Sequence, residues 1–371
     1  MKIGFLYTGE PTDMKFWSGT VSRLYSTISE SQKLEVKKII VTPSRLSPIV
    51  YKLIRLFSLK KNELSYFFNY IDSDKANRII RKSDCDIIFA PACSKLIYSG
   101  RKSLRNKKLI YLSDTTYHNL QGYYFNHSLH DQRIGNKWEK TALELASAII
   151  FPSVWSCDDA INYYHTPRER ISLIRFGANM DDYGSKVVKA GQSKYKLLLV
   201  GVDYVRKGVD IAIETVKLLN KPGSAITFEL SVVGLDRPET DIPDYVKFYG
   251  RLKKNNSEEL KKLIDLYSSH DIFIMPTKAE CAGIVFAEAA MFGLPSFTYA
   301  TGGTPDYVED GVTGRCLSPT CGAEEFCEAI ELAVANGKIE EFSKEARRKY
   351  ENELNWKFWR EKFERVIMEM I

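Results

Sequence analysis

The feature that most constrains the fold of this chain is an alternation of short apolar runs with helical patterns, which occurs twice. Short apolar runs followed by turn or polar residues predict buried strands, and the amphipathic segments between them predict helices. Strands that alternate with helices form a parallel sheet covered on both faces. The predicted strands of the first half are Lys2–Tyr7, Val36–Val41, Cys85–Ala90, Lys108–Leu112 and Ala148–Phe151.

The pattern restarts after Asp182, which predicts a second α/β domain. We expect domains at 1–178 and 179–354, joined by a hinge near Phe176–Tyr183. The tail Glu345–Ile371 is predicted to be a long amphipathic helix, of which 355–371 returns to the first domain. The predicted strands here are Lys196–Val200, Thr227–Val233, Val246–Tyr249, Asp271–Met275 and Ser296–Tyr299, and the predicted helices are Val209–Leu219, Ser257–Tyr267, Ile284–Phe292 and Ala323–Ala335.

In open parallel sheets, ligands bind beyond the carboxyl ends of the strands. Two such sheets that face each other leave a cleft between them. We therefore expect the functional residues to lie in loops that directly follow strands, on the two sides of an interdomain cleft.

Composition and cysteine usage exclude several classes of protein. Apolar residues make up 44% and charged residues 27% of the 371 residues, which is the balance of a soluble globular protein. No run of about 18 apolar residues predicts a membrane span, and the N-terminal apolar run is too short for a signal peptide. Seven scattered cysteines argue against a disulfide framework or a thiolate zinc site. We expect a cytoplasmic protein.

The net charge of +6 hides an asymmetry between the two halves. Residues 1–179 contain 27 Lys/Arg and 16 Asp/Glu, whereas residues 180–371 contain 26 and 31. A basic domain attracts anionic surfaces. The basic, apolar segment 45–61 either lies in a membrane interface or packs as a core helix with a basic edge. It is our candidate for peripheral contact with the inner face of a membrane, and no nucleic-acid partner is expected.

The segment Glu280–Leu317 carries the clearest chemical signal. Its predicted helix begins near Gly283 and is apolar all round except for Glu288. Such a helix is buried, and an unpaired buried carboxylate costs several kcal/mol. Glu288 must therefore meet either donors of the protein itself or the hydroxyls of a ligand such as a nucleotide ribose.

The start of the same helix predicts an anion site. The backbone N–H groups of Gly283, Ile284 and Val285 lack helical partners, and the helix dipole favours an anion there. Glu280 lies in the preceding loop. Two acids that flank one anion site suit a nucleotide sugar, with ribose hydroxyls at one end and sugar hydroxyls at the other.

A second phosphate-directed element is Gly201–Gly208 (GVDYVRKG), which directly follows a predicted strand. Arg206 and Lys207 stand at a strand-to-helix turn, where cations can clamp a diphosphate. The alternative interpretation is an ordinary solvated pair of charges.

These motifs resemble one family. Glu280-x7-Glu288, with Gly283 inside it, GLP behind it, and then Gly302-Gly303 and DGVTG, resembles the retaining glycosyltransferases of family 4, which have the GT-B fold of two Rossmann-like domains. GVDYVRKG, IRFGANMD and the loop Trp17–Thr20 (WSGT) are similar to the same family. The resemblance covers essentially the whole chain.

The resemblance implies roles for individual residues. Glu280 is expected to contact the donor sugar, and Glu288 the ribose of the nucleotide. Lys207 and the amides of Gly283–Val285 are expected to hold the diphosphate. The other residues that the resemblance places at the donor are Gly19, Arg206, Arg251, Leu252 and Cys281. Arg251 and Leu252 fall where the family reads the base, and Gly19 falls near the phosphates or the acceptor.

Three positions depart from the family's pattern. Val202 follows the glycine after which the family has arginine, and Arg206 is a candidate to supply the missing charge. Ala282 stands where an aromatic residue is common, and Asp306 where the family often has glutamate.

The loop Ser113–His118 (SDTTYH) follows another predicted strand, and in the family this region faces the transferred sugar. Asp114 and His118 are therefore catalytic candidates, with a turn-capping aspartate and a surface histidine as the alternatives. Asp84 and Asp86 form an Asp-x-Asp pattern that we interpret as strand-edge capping rather than a metal site. We expect no metal and no cofactor.

The sequence thus predicts a metal-independent hexosyltransferase with a nucleoside-diphosphate sugar as donor, and the resemblance to the family implies retention. Its acceptor is expected to be a glycan or a lipid-linked molecule, in the assembly of a bacterial-type surface glycan or glycolipid. Two alternatives stay open: a nucleotide-sugar epimerase of the same fold, and a non-catalytic partner of another transferase. The oligomeric state is not predicted.

Overall fold

The computed structural model describes residues 1–42, 64–239 and 241–371, and only the backbone of 64–71. The chain divides into two compact units, Met1–Ile174 with Arg360–Ile371 (unit 1) and Arg175–Trp359 (unit 2). The division therefore falls four residues before the end of the first predicted domain.

Unit 1 is built on a six-stranded parallel sheet, in the order β2-β1-β3-β4-β5-β6. Its central strands are buried on both faces because helices cover both sides. The strands are β1 (Lys2–Tyr7), β2 (Glu35–Ile40), β3 (Ile87–Pro91), β4 (Lys108–Leu112), β5 (Ala148–Phe151) and β6 (Ile171–Leu173). The helices are α1 (Thr20–Ser29), α2 (Leu64–Lys82), α3 (Ser94–Leu104), α4 (Tyr117–Leu120), α5 (Leu129–Leu145) and α6 (Val154–Asn162).

Unit 2 repeats this arrangement with the strand order β12-β11-β10-β7-β8-β9, again all parallel. Its strands are β7 (Lys194–Val200), β8 (Thr227–Val233), β9 (Val246–Phe248), β10 (Ile272–Met275), β11 (Ser296–Tyr299) and β12 (Gly314–Leu317). Its helices are α7 (Val209–Leu219), α8 (Ser257–Ser269), α9 (Ile284–Met291), α10 (Thr304–Tyr307), α11 (Ala323–Ala335) and α12 (Lys338–Asn352).

The last helix, α13 (Trp356–Met370), ends in unit 1. The Phe363 ring packs edge-on against Phe89 of β3, with 5.1 Å between the ring centroids. The Ser31 hydroxyl donates to Glu364 at 2.7 Å. The predicted return of the C-terminal helix to the first domain is therefore confirmed.

The tail is not one long helix, and this prediction was wrong. The chain breaks between α12 and α13 at residues 353–355, where the Asn355 side chain accepts a hydrogen bond from the Phe358 N–H at 2.9 Å. Its amide group also donates to the Tyr350 carbonyl at 2.9 Å. An asparagine that closes one helix and caps the next stops the helical pattern without disturbing its hydrophobic spacing.

The edge strands β6 and β12 were not predicted. Each is short, with three and four residues, and neither contains a continuous apolar run. Pairing with β5 and β11 forms them, which is information that local sequence does not carry.

Across the described residues, no helix combines the length and the hydropathy that crossing a membrane requires.

Candidate active site

The loop after β7 is held in place by close backbone packing. A Cβ atom on Gly201 would lie 2.7 Å from Lys207 Cγ, so the glycine leaves room for the aliphatic stem of that lysine. A Cβ on Gly208 would lie 2.1 Å from the Pro276 carbonyl oxygen, and Gly208 has φ +65°. The glycines of GVDYVRKG therefore bring this loop against the loop after β10 and fix the course of Lys207.

Lys207 and Glu280 form a buried ion pair in unit 2. The Lys207 ammonium contacts the Glu280 carboxylate, and their side chains are only 9% and 13% exposed. Glu280 is anchored through its backbone, because its carbonyl accepts the Gly303 N–H at 2.9 Å. Because these residues follow β7, β10 and β11, their loops lie at the carboxyl ends of neighbouring parallel strands.

Arg206 points toward the same loops but has protein partners. Its guanidinium donates to the Ala279 carbonyl at 3.2 Å and lies 3.5 Å from the Asp203 carboxylate. The position that the family fills with arginine, Val202, is 61% exposed. Arg206 thus braces the loop before Glu280, and its replacement of the missing arginine stays a prediction.

At the start of α9, one of the predicted amide donors already has a partner. The Ile284 N–H donates to the Ala282 carbonyl at 2.8 Å, so this amide is already used inside the loop. Ile284 and Val285 are half-buried, whereas Cys281 is buried. Of the three predicted amide donors, Ile284 would have to exchange its partner to bind an anion.

Glu288 is not stranded, because protein donors meet it. It is 1% exposed, and its carboxylate contacts the Lys254 ammonium and accepts a hydrogen bond from the Tyr267 hydroxyl at 3.2 Å. Burial, followed by the nearby Glu288 charge, raises the pKa of Tyr267 well above its usual value, so the phenol stays protonated as a donor. Of the two explanations for Glu288, the structure shows the first, and a ribose is not required to account for its burial.

The Glu288 carboxylate keeps lone pairs that can accept hydrogen bonds from a ligand. Lys254 lies in the segment after β9, and its side chain is 24% exposed. A carboxylate has about four lone-pair directions. Two protein donors therefore do not exhaust its hydrogen-bonding capacity. Arg251 and Leu252, the predicted base-reading residues, lie in the same segment, exposed and half-buried respectively.

Asp306, which stands where the family often has glutamate, is buried in α10. Its carboxylate contacts the Arg175 guanidinium at 3.0 Å. The shorter side chain thus has a structural partner within unit 2.

In unit 1, Asp114 joins the loop after β4 to the N-terminal loop. The Trp17 indole N–H donates to its carboxylate at 3.0 Å. Trp17 and Ser18 have φ of 50° and 54°, a conformation that residues with side chains adopt only when their surroundings enforce it. Gly19, at φ 87°, follows directly and is buried. Asp114 therefore supports the predicted WSGT loop and does more than cap its own turn. Its catalytic role stays a prediction.

His118 is oriented by groups that sequence reasoning missed. Its Nδ1 lies 2.7 Å from the Asp159 carboxylate, whose other oxygen accepts from the Thr116 hydroxyl. The imidazole stacks on Tyr163 at 3.6 Å between ring centroids and is 43% exposed. A hydrogen bond at Nδ1 leaves Nε2 as the atom that can meet a substrate. This arrangement favours the functional interpretation of His118 over the surface one.

A buried carboxylate lies near these groups. Glu139 on α5 accepts from the Tyr111 hydroxyl at 3.0 and 3.1 Å. Burial raises the pKa of Glu139 to about 8, against hydrogen bonds that lower it, and the charges of Asp114 and Asp159 raise it further. A carboxyl group of this kind is neutral over much of the physiological range.

Asp84 is paired with two lysines. Its carboxylate contacts the ammonium groups of Lys2 and Lys37 at 2.7 and 2.6 Å, and the hydrogen bonds from these lysines hold its pKa well below the usual value. Within the part of the chain that the structure describes, no three His, Cys, Asp or Glu side chains form a metal-binding group. The predicted membrane-contact segment 45–61 lies outside the described residues.

Two family models match the chain. Residues 17–182 match Glycosyltransferase Family 4, and residues 185–351 match Glycosyl transferases group 1. Together they span nearly all of both units. The chain belongs to the family 4 glycosyltransferases. The predicted family is confirmed, and so is the GT-B fold, because solved glycosyltransferase structures superpose on the whole chain.

Three proteins illustrate the range of similarity. The lipopolysaccharide glucosyltransferase WaaG of Escherichia coli K12 is 28% identical over 192 residues, which is 49% of this chain and 51% of WaaG. The sucrose-phosphate synthase structure from Thermosynechococcus elongatus has a TM-score of 0.69 and 16% identity, and covers 100% of this chain and 98% of that one. Anabaena HepE, solved with UDP-glucose, has a TM-score of 0.63 and 17% identity, and both chains are fully covered. The chain spans about half the length of the curated relatives it matches.

Sequence reasoning found the two acids and the lysine of unit 2 but missed the partners that position them. Lys254 and Tyr267 carry no motif, because one is part of a Lys-Lys pair in a loop and the other ends a helical pattern. Asp159 follows another aspartate on α6, and nothing in its spacing connects it with His118. Only the fold brings these residues together.

Proposed function

We propose that this glycosyltransferase moves a hexosyl unit from a nucleoside-diphosphate sugar to an acceptor hydroxyl, with retention at the anomeric carbon. The observation that carries the proposal is the buried Lys207–Glu280 pair at the carboxyl ends of the unit 2 strands. A buried cation fixed by an acid and by packed glycines is preorganised to stabilise developing negative charge. An ordinary surface pair would not be enclosed in this way.

In the proposed reaction, the bond between the anomeric carbon and the diphosphate oxygen breaks while the acceptor oxygen bonds to the same carbon. The proton of the acceptor hydroxyl passes to a phosphate oxygen of the leaving group. The proposed step uses no metal because protein groups offset the charge of the diphosphate. Lys207 stabilises the negative charge that develops on that group. Glu280 orients the sugar hydroxyls as hydrogen-bond acceptor.

We propose that Glu288 accepts from the ribose through the lone pairs that Lys254 and Tyr267 leave available. His118, with Nε2 available, is the proposed contact of unit 1 with the transferred sugar. Arg251 and Leu252 are the proposed neighbours of the base. A donor of this class is supported by Anabaena HepE, since the same fold there binds UDP-glucose.

The acceptor is proposed to be a growing surface glycan or a lipid-linked molecule, and the enzyme is proposed to act in the cytoplasm. WaaG, which matches about half of the chain, is a lipopolysaccharide glucosyltransferase. The +11 balance of residues 1–179 is consistent with an anionic acceptor.

The test combines ligand screening with two variants. UDP-, GDP- and dTDP-sugars are compared by thermal shift, because a ligand that binds only the native state at 100 times its Kd stabilises by about 2.7 kcal/mol. With the donor so identified, we expect Lys207→Ala to lose nearly all transfer while it remains folded. Lys278→Ala, a change at an exposed lysine in the neighbouring loop, is expected to retain activity.

Two results would contradict the proposal. One is near-normal turnover in Lys207→Ala. The other is conversion of the donor to an epimeric nucleotide sugar in the absence of acceptor, detected by NMR, which would assign the site to an epimerase.

A further inference from the structure

A cavity of about 850 Å³ lies in unit 1 between helices α2 and α3, away from the loops described above. Five cationic side chains line it, and we call it the basic groove. They are Lys75, Arg78, Arg81, Lys102 and Lys107. Among the described residues that line it, Asp74 is the one acidic residue. Its volume is in the range of ligand-binding pockets.

Asn77 and Ser103 line the basic groove and are joined by hydrogen bonds. The Asn77 amide donates to the Ser99 carbonyl at 2.9 Å, and its oxygen accepts the Ser103 N–H at 2.9 Å. The Ser103 hydroxyl donates to the Asn77 carbonyl at 2.8 Å. These bonds tie α2 to α3, the two helices that carry most of the cations of the basic groove.

Within the described part of the chain, the cations of the basic groove are not neutralised. None of the five forms an ion pair with a carboxylate among the described residues. Lys75 and Lys107 donate instead to backbone carbonyls, those of Thr42 at 2.5 Å and Cys85 at 2.7 Å. Elsewhere in unit 1, by contrast, Asp84 is paired with two lysines.

The surrounding sequence strengthens this positive potential. Residues 75–82 and 94–107 together contain nine Lys/Arg and no Asp/Glu. Cations in the last turn of a helix offset its dipole, which accounts for Arg81 and Lys102. Lys75 and Arg78 lie too far from the end of α2 for that explanation, since the dipole effect is confined to the last turn.

We propose that the basic groove binds phosphate groups, carried by an anionic lipid headgroup or by a soluble phosphate compound. Crowded like charges repel one another, and a phosphate relieves this repulsion while it accepts hydrogen bonds from guanidinium groups. Arg78 and Arg81, three residues apart, lie on one face of α2. Their planar guanidinium groups can each donate paired hydrogen bonds to phosphate oxygens. The proposal does not depend on the glycosyltransferase assignment.

The experiment compares two full-length triple variants with equal loss of charge. The groove variant carries Arg78→Gln, Arg81→Gln and Lys102→Gln. The control variant carries Lys33→Gln, Lys140→Gln and Arg365→Gln, at exposed cations of unit 1 outside the groove. Co-sedimentation is measured with phosphatidylcholine vesicles, with and without phosphatidylglycerol.

Pyrophosphate binding is measured by calorimetry on the same proteins, each also carrying Lys207→Ala so that the proposed donor site does not contribute. Because each cation near an anionic surface contributes to membrane binding, we expect the groove variant, which lacks three of them, to lose roughly 100-fold in vesicle partition. The control should change far less. Loss of vesicle binding alone identifies a lipid headgroup, and loss of pyrophosphate binding identifies a soluble phosphate. Equal losses in both variants, or no binding of either probe by the parent protein, would overturn the proposal.

Discussion

Replacing Gly201 by alanine tests whether the glycine after β7 exists to seat Lys207. Its φ lies outside the left-handed region, so alanine meets no backbone strain there. The new Cβ would lie 2.7 Å from Cγ, 3.2 Å from Cβ and 3.4 Å from Cδ of Lys207. Carbon atoms in contact prefer about 3.5–4.0 Å. The lysine stem must therefore move by nearly 1 Å, which shifts its ammonium against Glu280.

The size of the effect follows from this displacement. Overpacking of a close-packed site costs about 1–3 kcal/mol of stability, which leaves the protein folded at 25 °C. A catalytic group misplaced by about 1 Å loses on the order of 100-fold in rate. We therefore expect a modest fall in melting temperature and a large fall in kcat.

The assay follows release of the nucleoside diphosphate from the donor selected by thermal shift, with KM and kcat determined separately. Gly322→Ala is the matched control, since its Cβ would meet only Glu325 Oε2 at 3.6 Å, an ordinary contact. If Gly201→Ala kept the kcat of the parent enzyme, Lys207 would not need its present position, and Gly201 would not be required to seat it.

Three further predictions test the partners of the candidate site. Lys254→Met is expected to lower the free energy of unfolding in urea by about 3 kcal/mol because it leaves the Glu288 charge buried without its cation. Adding Glu288→Gln should recover most of this loss. Additive losses in the double-mutant cycle would refute the coupling between Lys254 and Glu288. Asp159→Asn is expected to lower kcat roughly tenfold or more because it no longer orients the His118 imidazole. The donor-induced thermal shift should stay unchanged. An unchanged kcat would show that the contact between His118 and Asp159 is only structural. Glu139, with a pKa raised to about 8, binds its proton more tightly in the folded state, so wild-type stability falls as pH rises from about 4.5 to 8. The melting temperature of Glu139→Gln relative to wild type should accordingly increase over that range, and a decrease would show that the folded state favours the ionised carboxylate.

The interior strands and several helices were predictable because their signal is local. The bounds of α7, α11, β8 and β11 agree with the sequence pattern to the residue. Each is an apolar or amphipathic segment bounded by turn residues. The single prediction of one long C-terminal helix failed because a polar interruption at Asn355 was hidden in a continuous hydrophobic pattern.

For Glu288, the local sequence determines that the carboxylate needs a partner but not which residue the partner is. An acid in an all-apolar helix must be paired, and the sequence establishes this much. The sequence does not establish the identity of the partner, because Lys254 is 34 residues away and belongs to a different strand's loop. Two explanations were consistent with the pattern, and only coordinates could decide between them.

The sequence by itself determined two parallel sheets and the family, and it singled out the acids and the lysine of the candidate site, because hydrophobic period and motif spacing are properties of neighbouring residues. The tertiary structure decided which charges are partnered: Lys207 with Glu280 across 73 residues, and His118 with Asp159 across 41. Such pairs depend on loops that a parallel sheet gathers at one edge of each unit. Their energies are set by burial and distance, and neither quantity is written in any local stretch of the chain.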